Sequence, residues 1–123
     1  MELKELIKGT LQGTGEVTES LMSVVSDIIK EGTHDVSEIF GVVIELGKEG
    51  AIDVTGGVEG VFVGSVNALK ESGKSSEDAV TEVTTKAEQA IGSIGETGEE
   101  TVGNAAKKGV EEAKAIVSKP FEN

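Results

Sequence analysis

Cysteine, tryptophan, tyrosine and arginine are absent from the chain. Without cysteine there is no disulfide framework, no thiolate zinc site and no cysteine nucleophile. The single histidine, His34, excludes a multi-histidine metal centre. Three phenylalanines are the only aromatics, and the formal net charge is −12. Together with the lack of arginine, that argues against nucleic-acid binding. No apolar run reaches the roughly 20 residues of a membrane-spanning helix. The most apolar region, Val36 to Leu69, is interrupted by Glu38, Glu45, Lys48, Glu49, Asp53 and Glu59. The first residues are charged throughout and lack the order of a secretory signal. The expectation is a cytoplasmic protein, or one peripheral on a membrane or other apolar body, with no transmembrane segment.

What is present is 123 residues, 37% hydrophobic and 28% charged, with 17 glycines. That length suits one domain, here spanning 1–123. Any core must be built from Val, Ile, Leu and Ala and will be thin.

The chain repeats every eleven residues. Cut in that frame, the first position reads Leu3, Thr14, Val25, Val36, Gly47, Val58, Leu69, Val80, Ile91, Val102, Ala113. The fourth reads Leu6, Val17, Ile28, Ile39, Gly50, Val61, Ser72, Val83, Ile94, Ala105, Ile116. The third is acidic at Glu5, Glu16, Asp27, Glu38, Glu49, Glu71 and Glu82, and the fifth is half apolar, with Ile7, Ile29, Phe40, Ala51, Phe62, Ala106 and Val117. Eleven residues close almost three α-helical turns, at about 3.67 residues per turn. Positions 1, 4, 5, 8 and 11 then share an arc of roughly 120°, which is an apolar stripe on one helix face. A strand would need a period of two. The apolar members of the first and fourth columns, Ala113 aside, form the candidate interaction stripe. The fold expected is all-α: amphipathic helices packed as an elongated antiparallel bundle or hairpin.

Breaks follow from local chemistry. Gly13-Thr14-Gly15 ends a short first helix, and Gly32 precedes a start that Thr33 could cap, with Asp35 in the next turn. Gly73 reads as a helix stop, and Ser75 with Asp78 as a capping pair. Pro120 closes the last helix. The spacing predicts helices near 2–12, 16–31, 34–71 and 76–118. Gly47, Gly50, Gly56 and Gly57 weaken the third and predict a hinge near 55–57, since each mid-helix glycine costs about 1 kcal/mol relative to alanine. The glycines admit two explanations: close helix approach, or helices so weak that they form only on a partner.

Catalytic constellations are lacking. His34 has only scattered carboxylates for company and reads as an exposed residue. Glu99-Glu100 and Glu111-Glu112 diverge by about 100° on a helix and read as solvated charge. Gly73-Lys74-Ser75 ends like a phosphate loop, but Ala68 stands where that loop needs glycine. No enzyme activity and no cofactor are expected. Lys4, Lys48, Lys70 and Lys114 share the second column, and Lys8, Lys30, Lys74 and Lys107 the sixth. Lysines flanking an apolar stripe can snorkel at a lipid surface, or can simply solubilise a bundle, with Glu82 and Lys86 spaced for an i,i+4 pair.

Lys30-Glu31-Gly32, Lys48-Glu49-Gly50, Lys107-Lys108-Gly109-Val110 and Glu59-Gly60-Val61-Phe62-Val63-Gly64-Ser65, set in this repeat, resemble the synucleins, late-embryogenesis-abundant proteins and exchangeable apolipoproteins. In this chain the Lys-Glu-Gly pieces occupy different columns and acid exceeds base. The resemblance implies reversible binding to a lipid or apolar surface, or a stress-protective role. The function expected is therefore a non-catalytic coat on a lipid or other apolar surface; the alternative is a soluble self-associating bundle, with its own copies as partners, serving a structural, scaffolding or protein-interaction role. Val58 to Val66, charged only at Glu59, is also a segment prone to β aggregation when exposed.

Overall fold

A computed structural model describes residues 3–11, 17–32, 34–50, 52–95 and 100–118. The fold is all-α, a bundle of six described helices: α1 (Leu3–Leu11), α2 (Val17–Glu31), α3 (Val36–Lys48), α4 (Val54–Glu71), α5 (Ser76–Gly95) and α6 (Glu100–Ser118). No strand occurs among the described residues.

The fourth helix organises the rest. Its sequence, VTGGVEGVFVGSVNALKE, has no charge but Glu59 before Lys70. A helix that is apolar all round must be buried all round, and α2, α3, α5 and α6 surround it. Val58, Val61, Phe62, Val63, Ser65, Val66 and Ala68 are all buried. α3 and α4 run antiparallel: Gly47 lies against Val54 and Val43 against Gly57. α2 and α6 run parallel to α4. Met22 of α2 meets Gly64, and further along both helices Lys30 meets Glu71. Likewise Thr55 meets Ala105, and one turn on Glu59 meets Glu112. The short α1 lies on α2 and α3.

Glycine lets the backbones approach. A methyl group placed on Gly64 would stand 2.8 Å from the Met22 carbonyl oxygen, and one on Gly109 would stand 2.6 Å from that of Thr55. Backbone atoms cannot swing aside as a side chain can, so these seams require glycine.

The third expected helix is indeed broken, but at 49–53 and not at 55–57. Gly50 takes φ +81°, a left-handed conformation that ends α3. Asp53 then caps α4, its carboxylate accepting the Gly56 amide at 3.0 Å. Gly56 and Gly57 thus fall in the first turn of α4, where weak propensity matters least. Asp35 occupies the cap position of α3 instead of lying within its first turn; Thr33 lies outside the described residues. The stop at Gly73 is as expected. Its φ is +108°, the Lys74 amide donates to Leu69 and the Gly73 amide to Lys70, both at 3.1 Å, which is the Schellman arrangement. Ser75 accepts the Asp78 amide at 3.2 Å.

The expected helix over 76–118 is two helices. α5 runs back along α4 and α6 returns beside it, so the chain reverses between Gly95 and Glu100. A single helix of that length would extend about 65 Å, far beyond α4, and would leave half its stripe uncovered. Folding back places both halves on α4. The expected breaks at 13–15 and at Pro120 lie outside the described residues.

Candidate functional site

The candidate site is the stripe, and the bundle turns most of it inward. Leu3, Val25, Ile28, Val36, Ile39, Val58, Val61, Val83 and Ile91 are buried in one core. Leu6, Leu69, Val80 and Ala105 pack at its edge, half-buried. The side chains of Val17, Ile94 and Val102 lie outside the described residues. Ile116 departs from the expectation: it is 40% exposed and takes no place in the core. In α6 the buried face is Ala106, Val110, Ala113 and Val117: Ala113 keeps to the first column, but Ala106 and Val117 of the fifth take the place of the fourth, so the helix is turned away from Ile116. This face seats Gly109 against Thr55 and Val58 of α4.

Several core residues stood outside the two columns. Phe40 and Phe62, the largest fully buried side chains, and Ile7 belong to the fifth; Leu21, Val43 and Ala87 belong to the eighth. The half-apolar fifth column was their signal.

The acidic third column faces solvent at Glu5, Asp27, Glu38, Glu49 and Glu71, and partly at Glu82. Lysines bridge between helices across this exterior. Lys4 of α1 reaches Glu45 at 3.1 Å and also Glu49 on α3. Lys30 of α2 holds Glu71 of α4 at 2.8 Å, and Lys86 of α5 reaches Asp35 at the head of α3 at 3.3 Å. Lys74 pairs with Glu82. Glu82 and Lys86 therefore find other partners than each other. Lys4 is raised above its ordinary range by the hydrogen bonds to Glu49 and Glu45, and Lys30 by that to Glu71. The Asp35 carboxyl is held below its ordinary range, first by the Ser37 hydroxyl, which donates to it at 2.6 Å, and then by Lys86. Glu49 is lowered by Lys4. Glu59 shifts the other way. Half-buried on α4, it is raised by desolvation and then by the Glu112 carboxylate of α6.

His34 is half-buried rather than exposed, with Nδ1 3.1 Å from Glu38. Gly73-Lys74-Ser75 forms a helix-to-helix turn, with no strand leading into it. Among the described residues no group of three or more His, Asp or Glu side chains is placed to hold a metal ion. Among them, too, no helix is long and apolar enough to cross a membrane.

No protein-family model, curated protein or solved structure matches this chain.

Proposed function

We propose that this is a non-catalytic, self-associating helical bundle of the cytoplasm, acting as a structural or protein-interaction module through its acidic exterior. One observation carries the closed bundle over a lipid coat: Val25, Ile39, Val58, Val61 and Val83 are fully buried against other helices of the same chain. Residues so engaged are not available to a lipid surface while the bundle is closed. Circular dichroism in plain buffer, repeated with neutral vesicles, tests this. The expected result is strong helicity in buffer, a sharp thermal transition, and no change with lipid.

A second reading rests on the thinness of the core. Among the described residues, Phe40 and Phe62 are the aromatics of a core otherwise built from Val, Ile, Leu and Ala, and the Ser65 hydroxyl is buried without a partner. A bundle so packed can open and lay the same stripe on a lipid or apolar surface, as the resemblance to synucleins and exchangeable apolipoproteins implies. Weak helicity in buffer that rises on neutral vesicles would favour this reading over the first.

A further inference from the structure

The first helix stands apart from the other five. It has nine residues, fewer than an isolated helix needs to persist in water, so it depends on being docked. Among the described side chains it is held on α2 and α3 by Leu3 and Ile7, buried, by Leu6, half-buried, and by Lys4, forked between Glu45 and Glu49. Among the six described helices it is also the one with net positive charge. Lys4 and Lys8 outweigh Glu5, whereas α2 to α5 are each net negative and α6 is neutral. Lys8 adds to the field of Lys4 in lowering the Glu49 carboxyl. The seat between α2 and α3 is thus apolar at its base and acidic at its rim, and the segment that fills it is a short basic amphipathic helix.

We infer that α1 is an exchangeable strap, and that its seat on α2 and α3 also accepts α1 from a second copy of the chain. The second copy is the occupant the chemistry favours, because it presents Leu3, Lys4 and Ile7 in the spacing the seat already fits. Reciprocal exchange fills both seats of a two-fold dimer and leaves no apolar surface uncovered. α2 to α6 keep their own packing around α4 throughout, and the net negative bodies meet only through a positive segment. This inference rests on the self-association reading and specifies its route.

The chain has no cysteine, so introduced thiols report cleanly. One chain carries Lys8→Cys and the other Glu45→Cys, which keeps the Lys4–Glu49 pair in both. They are mixed, incubated and treated with a short bismaleimide. A third chain, Glu88→Cys on the exposed face of α5, replaces the first as a collision control. A chain carrying both Lys8→Cys and Glu45→Cys reports docking of α1 on α3, within one molecule in the monomer and between two in the exchanged dimer, and light scattering on the unaltered chain reports association. The expected result is a crosslink in the double variant, dimer by light scattering, and a mixed crosslink at least about tenfold above the control that Ile7→Asp in the Lys8→Cys chain abolishes. Dimer without a mixed crosslink above the control overturns the exchange and leaves self-association standing. An internal crosslink with no dimer at any concentration overturns both. No crosslink in the double variant, neither within one chain nor between two, shows that α1 does not dock on α3, and the strap itself falls.

Discussion

Thr55 donates its hydroxyl to the backbone carbonyl of Ala105 at 3.0 Å, a side-chain tie between the first turn of α4 and α6. It is possible because Gly109, one turn further along α6, has no side chain to hold the helices apart. Gly109→Ala would place a methyl group against the Thr55 carbonyl oxygen and force the two helices apart. The expected loss is about 1–3 kcal/mol, as for overpacking elsewhere. Gly64→Ala, against the Met22 backbone, should behave alike. Gly92→Ala and Gly41→Ala meet nothing within 4 Å and should gain up to about 1 kcal/mol from helix propensity. Urea denaturation of the four variants distinguishes seam glycines from idle ones, and equal effects at all four would sink the distinction.

Ser65 is fully buried in α4 and its hydroxyl has no hydrogen-bond partner. An unsatisfied buried hydroxyl is destabilising by about 1–3 kcal/mol on the mutational scale. Ser65→Ala removes it with little change in volume. The variant should be more stable by about 1 kcal/mol, read from the shift in urea midpoint at constant slope.

Glu59 carries the pH dependence. Its carboxyl is raised in the fold, so its contribution to stability is full below the ordinary carboxylate range and is lost as pH rises through the raised value. At neutral pH the ionised side chain opposes its own desolvation and the Glu112 charge. Glu59→Gln should therefore stabilise the protein at pH 7, and the advantage should vanish on acidification. Asp35 and Glu49, both lowered, contribute stability present above the ordinary range and lost as pH falls. Thermal midpoints of the two proteins between pH 7 and about pH 4 decide it; parallel curves would count against the assignment to Glu59.

Val25 and Ile116 belong to the same sequence stripe, but the first is fully buried and the second 40% exposed. Val25→Asp buries an unpaired charge and should lower stability by roughly 3 kcal/mol or more. Ile116→Asp should change it by less than about 0.5 kcal/mol. A large loss in the second variant would return Ile116 to the core.

Periodicity revealed the helices, because the eleven-residue pattern states which face of each is apolar, and α2, α3 and α5 bury that face. It could not reveal α4 as the centre. Val58 and Val61 were on the stripe, but Val63 and Val66, off it, are buried too. What decides their burial is how many neighbours surround the helix, and that is tertiary. The rotation of α6 has the same origin: Ala106 and Val117 were visible as apolar, but only the approach of Gly109 to Thr55 selects their face over that of Ile116. The break falls at 49–53 because Gly50 turns left-handed and ends α3, which glycine's low helix propensity alone does not locate. Asp53, three residues before Gly56, was the signal that a new helix begins there. As for the function, the stripe announces an apolar contact, and the partner that covers each side chain is a property of the folded chain.

The central place of α4 also bears on the order in which the bundle can assemble. α2 and α3 are made before the helix they pack against, and α4 is made before α6. A growing chain gains about 5–20 residues per second, so for seconds α2 and α3 lack their common support and α4 lacks one of its walls. Parallel pairs such as Met22 with Gly64 and Thr55 with Ala105 join segments some forty to fifty residues apart. A chain that stalls before α6 therefore carries its central helix, α4, incompletely covered.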